Sequence, residues 1–434
     1  MITAILIIFV LAYVLIAAEH AVKIDKAATA LIAGVLCWTL LVLAPTGISH
    51  EVLEGRLGHH IEEISGILLF LMGAMTIVEI IDAHNGFSII TDRISTTNQV
   101  KLLWIISLLS FFLSAALDNL TTAIVMVSLA RKLISDQKSR WFFAGVIVIA
   151  ANAGGAWSPI GDVTTTMLWI GGQLTTGPVI SELFLPSLVS LLVPLIVLSF
   201  VLKGNLERPD SNETASSDLA RSKQMIVFLL GLGGLLFVPV FKTVTHLPPF
   251  MGMMISVGVL WLVTDLMNGR KMDSDKAKYS ALSALRKIDM PSVLFFLGIL
   301  LSVSALQEAG HLTQLSFWLK EQLNNTYAIN IAIGMLSAIV DNVPLVAASI
   351  GMYPVEAAGT ADVWASHFVQ DGTFWHFLAY TAGTGGSMLI IGSAAGVAAM
   401  GLEKMSFTWY LKNISLWALL GFFSGAGVYI LMHL

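Results

Sequence analysis

The chain has 434 residues, of which 56% are hydrophobic and only 12% are charged. Soluble globular domains carry about 25% charged residues, so this composition excludes that class and predicts many membrane-spanning helices of roughly 20 residues each. The net charge of −5 comes without a basic stripe, which argues against a nucleic-acid partner, and the single cysteine, Cys37, excludes a disulfide within one chain.

Apolar segments follow each other through two halves of similar layout, with a polar segment between them. The first half has predicted spans at 2–18, 27–45, 64–82 and 183–202, a double segment at 101–134 and a broken segment at 141–171. The second half has predicted spans at 224–240, 250–268, 291–306 and 410–432, a double segment at 328–351 and a broken segment at 374–400. This order predicts an all-α polytopic membrane protein with one repeat at 1–202, a linker at 203–223 and a second repeat at 224–434.

Each double segment is interrupted by the same Asp-Asn pair. The heptapeptide at 113–119 ends in Asp118-Asn119, and 223 residues later the chain repeats five of its seven positions and ends them in Asp341-Asn342. Two apolar pieces of about 15 residues are each too short to cross a bilayer comfortably, so we expect a re-entrant hairpin with the Asp-Asn pair at its tip. Such backbone is tolerated at membrane depth only where it faces protein or a water-filled cavity.

The distribution of basic residues supports the hairpins. If each double segment enters and leaves on one side, all but three of the 23 Lys and Arg residues lie on the same face of the membrane, the exceptions being Arg56, Lys242 and Lys320. Cytoplasmic loops carry an excess of Lys and Arg, so that face is predicted to be cytoplasmic. The linker then lies in the cytoplasm, the first hairpin opens to the cytoplasm and the second opens outside, which makes the two repeats inverted relative to each other.

Each hairpin is followed by a span with a break in its middle. The first break contains paired glycines at 154–155 and Pro159, and the second contains paired glycines at 385–386. Pro costs a helix interior about 3 kcal/mol and Gly about 1 kcal/mol, so both segments should unwind there. The freed backbone groups, together with Asn, Asp, Ser and Thr side chains, form an oxygen-rich cage suited to a hard cation. Breaks at matching positions of two halves are the best sequence indication of a transporter site near the bilayer midplane.

Eleven polar residues in the two tips and the two breaks are the candidate cation ligands. They are Asp118, Asn119, Thr122, Asn152, Ser158, Asp162 and Thr164 in the first half, and Asp341, Asn342, Thr384 and Ser387 in the second. Intramembrane carboxylates are costly and usually functional, whereas the alternative is that the tip aspartates only cap the half-helices that follow them. Asp162 aligns with Ser393, so the two halves are not equivalent. Ser114 and Ser337 are expected to bond carbonyl groups within their own helices.

These motifs resemble a known family. The tip at 113–122, together with the string Trp157-Ser158-Pro159-Ile160-Gly161-Asp162-Val163-Thr164-Thr165, is similar to the NhaD-type sodium/proton antiporters of the ion transporter superfamily. The resemblance covers nearly the whole chain and implies two inverted repeats, a scaffold part that often dimerises and a transport part that carries the hairpins. It also implies that the first-repeat site consists of Asp118, Asn119, Asn152, Asp162 and Thr164, and that the second consists of Asp341, Asn342 and Ser387. Anion carriers of the superfamily have Ser-Asn-Thr at the tip, so the Asp-Asn tips favour a cation.

The resulting hypothesis is a secondary active transporter, not an enzyme, that exchanges Na⁺, and also Li⁺, for H⁺ at shared carboxylates in the cytoplasmic membrane. It predicts no cofactor, lipid and small cations as partners, and it allows a homodimer. One alternative is a sodium-coupled or proton-coupled anion carrier on the same scaffold. A more distant alternative is an intramembrane aspartyl hydrolase in which Asp118 and Asp162 share a proton. The duplicated tips and breaks argue against the hydrolase, which needs neither.

Overall fold

The computed structural model describes residues 2–17, 19–45, 48–91, 93–209, 220–268 and 279–434. In the first half the helices are Ile2–Ala17, Glu19–Val22, Lys26–Leu43, His50–Ala83, Ser88–Thr91, Gln99–Leu117, Asn119–Leu133, Gln137–Ala156, Val163–Ile170 and Thr176–Val201. In the second half they are Arg221–Thr245, Pro249–Asn268, Ala281–Leu285, Met290–Glu308, His311–Leu323, Thr326–Leu336, Asn342–Met352, Thr373–Gly385, Ala394–Glu403, Phe407–Asn413 and Ser415–Met432, with a 3₁₀ turn at Ala365–Phe368.

Eight of the described helices are long and apolar enough to cross a membrane, so the predicted all-α polytopic class is confirmed. Residues 210–219 of the predicted linker, and the basic residues between 269 and 278 that were counted on the cytoplasmic face, lie outside the described part of the chain.

The helix that contains the third predicted span begins earlier than its hydropathy indicates. Ser49 caps this helix by accepting a hydrogen bond from the Val52 N–H at 3.4 Å, and the helix then runs from His50 to Ala83. At 34 residues it is about 50 Å long, well beyond a hydrocarbon core of about 30 Å. The predicted span at 64–82 is therefore only the apolar part of a longer helix, because the polar turns before it carry no hydropathy signal.

Four helix pairs occupy the predicted double and broken segments, with bounds that differ by four residues or fewer. Hairpin 1 is Gln99–Leu117 with Asn119–Leu133, broken helix 1 is Gln137–Ala156 with Val163–Ile170, hairpin 2 is Thr326–Leu336 with Asn342–Met352, and broken helix 2 is Thr373–Gly385 with Ala394–Glu403.

The first arm of hairpin 1 begins close to the point where the second arm ends. Between the arms Asp118 adopts a φ of +86°, which lies outside the helical region and reverses the chain. At the other end, the segment 204–207 donates a backbone hydrogen bond to Thr97 at 2.8 Å and accepts one from Ser135 at 2.9 Å. Thr97 precedes the first arm and Ser135 follows the second, so the two open ends of hairpin 1 lie together. The first arm, Gln99–Leu117, is nevertheless one of the eight helices long enough to cross a membrane, which is longer than the pieces of about 15 residues predicted.

Hairpin 2 is shorter than hairpin 1. Each arm has 11 residues and is about 16 Å long, too short for a hydrocarbon core of about 30 Å. Phe374 contacts both sides of the hairpin: Asn330 Nδ2, about one turn into the first arm, donates to the Phe374 carbonyl at 3.2 Å, and the ring of Tyr353, which follows the second arm, lies 4.9 Å from the Phe374 ring. The open ends of hairpin 2 therefore also lie together.

In each half, the first arm of the hairpin crosses the first part of the broken helix at a glycine. A Cβ on Gly154 would overlap the Phe111 carbonyl, and a Cβ on Gly385 would overlap the Gly334 carbonyl. Phe111 and Gly334 are 223 residues apart, the same offset that separates the two Asp-Asn tips. Only a residue without a side chain permits this approach, so the glycines fix how each hairpin sits on its broken helix.

Two serines strengthen these crossings. The Ser114 hydroxyl donates to the Ala151 carbonyl at 2.6 Å, and the Ser337 hydroxyl donates to the Ala382 carbonyl at 2.7 Å. Both acceptors belong to broken helices, so the prediction that these serines bond within their own helices is wrong. The glycine crossings bring the carbonyl groups of a second helix within reach of the serines.

Helices from the two halves pack directly on each other. Lys26–Leu43 packs against Met290–Glu308, where Gly34 and Gly298 let the two backbones approach and the Trp38 indole donates a hydrogen bond across the interface at 3.0 Å. Small residues are typical of helix contacts in membranes. The second part of each broken helix packs against the second arm of the hairpin from the other half. The tips and the breaks consequently meet at the centre of one packed unit.

Candidate functional site

Asp118 lies at the tip of hairpin 1, and its carboxylate holds the start of the second arm. The Thr121 N–H donates to Asp118 Oδ1 at 2.7 Å, and the Thr121 hydroxyl donates to Oδ2 at 2.9 Å. Asp118 is thus an N-cap of the second arm, which is the role expected if the tip aspartates were purely structural. Capping leaves free lone pairs on both carboxylate oxygens, and the positive φ is a strained conformation of the kind that clusters at functional sites.

A buried network of amide and carboxylate groups joins the tip of hairpin 1 to both sides of the first break. Asn119 Nδ2 donates to Asn152 Oδ1 at 3.1 Å and to Asp162 Oδ2 at 2.7 Å. Asp162 Oδ1 accepts hydrogen bonds from the Thr164 N–H at 2.9 Å and from the Thr164 hydroxyl at 2.8 Å. All four side chains belong to residues that are at most 4% exposed. Four of the predicted ligands therefore form one cluster.

Asn152 connects this cluster to the second half. Its Nδ2 donates to Ser387 Oγ and to Ser393 Oγ, both at 2.9 Å. Ser393 also caps the second part of broken helix 2 by accepting the Gly396 N–H at 3.2 Å. Ser393 is missing from the predicted ligands, although its alignment with Asp162 was the signal that could have identified it.

The tip of hairpin 2 is arranged differently from the tip of hairpin 1. Asp341 Oδ1 accepts the Val343 N–H at 3.2 Å, and Oδ2 lies 3.6 Å from Lys26 Nζ. Asn342 is buried, and its Nδ2 has no hydrogen-bond partner among the described residues. Lys26 is also missing from the predicted site, because its charge placed it with the basic residues of the cytoplasmic face and nothing in the sequence links it to Asp341.

The other three predicted ligands are buried near the breaks and the first tip. The Ser158 hydroxyl donates to the Ala115 carbonyl, and the Thr384 hydroxyl donates to the Tyr380 carbonyl at 2.6 Å. Their oxygen atoms keep lone pairs, but both hydroxyl protons are bound to backbone. Thr122 Oγ1 is buried and has no partner within the described ranges.

The three carboxylates lie in one electrostatic cluster. Asp118 and Asp162 are close enough for their charges to repel each other, and so are Asp162 and Asp341. Lys26 is the one basic side chain of the described chain that forms an ion pair with any of them. No group of three His, Cys, Asp or Glu side chains converges as a metal site in the ranges described. Carboxylate, amide and hydroxyl oxygens are instead the ligands of a hard cation.

A cavity of about 290 Å³ extends from the open end of hairpin 1 towards its tip. Its lining includes Glu79 and Asp82 of the helix His50–Ala83, and Ser128 and Lys132 of the second arm of hairpin 1. At its inner end lies Thr121, the residue that holds the tip carboxylate through two hydrogen bonds. The side chain of Thr121 thus separates the cavity from the Asp118 carboxylate.

The arrangement of carboxylates and backbone breaks at the centre of an apolar helical protein is typical of membrane carriers of small ions. The sequence model of the citrate transporter family matches residues 13–368. The chain is 46% identical to sodium/proton antiporter 1 of Arabidopsis thaliana over 99% of its own length and 72% of that protein. It is 45% identical to sodium/proton antiporter 2 of the same plant over 98% of each chain. It is 34% identical to the Na⁺/H⁺ antiporter NhaD of Alkalimonas amylolytica, over 93% of its own length and 84% of that protein.

The chain therefore belongs to the citrate transporter family and, within it, to the NhaD-type sodium/proton antiporters, which confirms the resemblance found in the tips and breaks. This is a family of transporters, so the protein is not an enzyme, and the alternative of an aspartyl hydrolase is wrong.

Proposed function

We propose that the protein exchanges Na⁺, and also Li⁺, for H⁺ across the cytoplasmic membrane by competition at intramembrane carboxylates. The cluster of Asn119, Asn152 and Asp162 carries this proposal, because it joins the tip of hairpin 1 to both broken helices in a buried core. Relatives named as sodium/proton antiporters, similar over nearly the whole chain, support it. Three carboxylates and one lysine leave the core short of positive charge, which a bound cation or proton supplies.

Cation binding would use oxygen atoms from both halves. The proposed ligands are Asp118, Asn119, Thr122, Asn152, Ser158, Asp162 and Thr164 from the first half, with Asp341, Asn342, Thr384 and Ser387 from the second. The carboxyl-terminal ends of two half-helices, at Leu117 and Ala156, are adjacent to these groups. Such ends carry partial negative charge and add to the attraction for a cation.

Competition follows from the cost of an unpaired charge in a membrane. A carboxylate at that depth needs either a proton or a metal cation, and both occupy the same oxygen atoms. Binding of Na⁺ therefore releases a proton, and this exclusion couples the two fluxes. Movement of the hairpins and broken helices against the remaining helices would expose the loaded carboxylates on alternate sides.

We further propose that the two halves are inverted repeats with re-entrant hairpins. The offset of 223 residues, shared by the two tips and by Phe111 and Gly334 on the hairpin side of the crossings, supports the repeat, and the paired open ends support re-entrant hairpins. The distribution of basic residues favours hairpin 1 opening to the cytoplasm and hairpin 2 opening to the outside. Association of two chains stays a prediction.

Proton movement in proteoliposomes tests the proposed function. A pH gradient reported by a pH-sensitive dye should collapse when NaCl or LiCl is added and persist with KCl, since small hard cations suit a compact oxygen cage. Liposomes without protein are the control. Citrate is the second substrate to examine, because the matched family is described as citrate transporters. A response that requires citrate, and no response to any cation chloride, would assign the protein to the anion carriers.

The cavity beside hairpin 1 is expected to be the cytoplasmic route to the tip. We predict that Ser128→Cys, made in a Cys37→Ser protein, reacts with a membrane-impermeant thiol reagent added to the cytoplasmic side, because Ser128 lines this cavity. Modification should then inhibit exchange by filling the route. Thr243→Cys, next to the outward-assigned Lys242, is the control and should react only from the other side. Labelling of Ser128→Cys from the outside alone would contradict the route.

A further inference from the structure

Lys26 has a position that the proposed exchange does not yet explain. It is the first residue of the helix Lys26–Leu43, whose start is fixed by Asp25 accepting the Ala27 N–H at 2.8 Å. From there Lys26 Nζ reaches to 3.6 Å from Asp341 Oδ2, and it lies 4.5 Å from the centre of the Phe295 ring. The ammonium group is thus held between a carboxylate and an aromatic face, two features that attract cations.

The Lys26–Asp341 pair is largely shielded from water. The exposed fraction of the side chain is 23% for Lys26 and 15% for Asp341. Charges in such surroundings interact more strongly than exposed surface pairs, which typically contribute about 0–1 kcal/mol. Asp162 and the partly buried phenol of Tyr13 also lie within electrostatic range of Asp341, and neither carries a positive charge. Lys26 is therefore the cationic partner of Asp341 among the described residues.

The two hairpin tips differ in this respect. At the first tip, the Asp118 carboxylate accepts two hydrogen bonds from Thr121, and no Lys, Arg or His of the described chain forms an ion pair with it. At the second tip, the equivalent Asp341 already faces an ammonium group. A Na⁺ ion and an ammonium group carry the same charge and compete for the same carboxylate oxygen. Asp341 at the second tip is thus paired with the ammonium group of Lys26, whereas Asp118 at the first tip has no such partner and can take a transported cation.

We propose that Lys26 is a tethered competitor of the transported cation at Asp341. In the conformation seen here its ammonium group occupies the position that a cation would take beside Asp341, so an entering Na⁺ engages this carboxylate only when Lys26 leaves it. Lys26 then sets the apparent affinity for the cation. This inference rests on the proposed function, since it assigns Lys26 to the site that performs the exchange.

The test compares the sodium dependence of exchange in Lys26→Gln, Lys26→Arg and the double variant Lys26→Gln/Asp341→Asn. Removing the competitor in Lys26→Gln should lower the KM for Na⁺ by about fivefold or more, the low end of typical coupling between two bound ligands. Lys26→Arg keeps a cation beside Asp341 and should stay close to the wild-type KM. In the double variant the KM should not fall, because the carboxylate for which the two cations compete is absent.

Lys23→Gln, which removes an exposed charge three residues away, is the matched control and should leave the KM unchanged. A purely structural role of Lys26 predicts the opposite sign, since a disordered Asp341 would raise the KM or lower the thermal stability. An unchanged or raised KM in Lys26→Gln therefore overturns the proposal, provided that the wild-type protein exchanges Na⁺ for H⁺. Absence of that exchange in the wild-type protein would overturn the proposed function itself.

Discussion

Replacing Asp118 with asparagine should lower the rate of sodium-dependent proton exchange by about 100-fold or more. Losing a residue that only supports a metal ligand typically costs about 10- to 100-fold, and Asp118 is proposed to be a ligand itself. Asparagine is as good an N-cap as aspartate, so its side-chain oxygen can still accept the Thr121 N–H and hold the second arm of hairpin 1. What the variant loses is the negative charge and the ability to take up a proton. The fold should survive while the exchange is lost. The initial rate of dye recovery in proteoliposomes after addition of NaCl measures this.

Asp136→Asn is the matched control for Asp118→Asn. Asp136 also caps a helix, accepting the Ser139 N–H at 2.8 Å before Gln137–Ala156, but it is exposed and the whole second arm, Asn119–Leu133, separates it from the tip. The same chemical change there should leave the exchange rate close to wild type. Full sodium-dependent flux in Asp118→Asn would refute competition at this carboxylate. Loss in Asp118→Asn combined with normal flux in Asp341→Asn would show that only the first half carries the exchanged ions.

The positions of the tips and breaks that form the candidate site could be predicted, because the residues that interrupt the helices are visible in the sequence. Pro159 lies within the first break, whereas Gly154 and Gly155 still belong to the helix Gln137–Ala156, so the prediction that the helix unwinds at these glycines is early by about two residues. An Asp-Asn pair between two apolar pieces favours a cap and a turn. The hairpins and breaks accordingly lie within a few residues of their predicted bounds. The start of the helix at His50 and the helix His311–Leu323 were not predicted, because both contain polar turns that a search for apolar spans passes over.

Long-range partners within the site could not be predicted from the sequence. The ligand candidates Asn119, Asn152 and Asp162 were each identifiable as polar residues in an apolar setting. Which atoms they share depends on how hairpin 1 sits on broken helix 1, and that follows from the crossing at Gly154. Lys26 shows this most clearly. A lysine at a cytoplasmic helix start needs no intramembrane partner, and only the packing of Lys26–Leu43 against Met290–Glu308 brings its ammonium group to Asp341.

Gly154→Ala adds only one methyl group, yet it should strongly destabilise the protein. The new Cβ would overlap the Phe111 carbonyl, a backbone atom that cannot rotate away, so hairpin 1 and broken helix 1 would have to separate. Overpacking of this kind costs about 1–3 kcal/mol and sometimes more. Since the same crossing positions Asn119 against Asn152 and Asp162, exchange should fall together with the midpoint of thermal unfolding in detergent.

The equivalent crossing in the second half gives this prediction its internal check. Gly385→Ala meets the Gly334 carbonyl in the same way and should lower the unfolding midpoint to a similar extent. Gly427→Ala is the control, because that glycine lies within the helix Ser415–Met432 and a Cβ there meets nothing within 4 Å. In a helix interior alanine is favoured over glycine by about 1 kcal/mol, so this variant should be as stable as the wild type or more stable. If Gly154→Ala and Gly385→Ala behaved like Gly427→Ala, the backbone contacts that define both crossings would be absent, and with them the physical reason for placing the two Asp-Asn tips in one core.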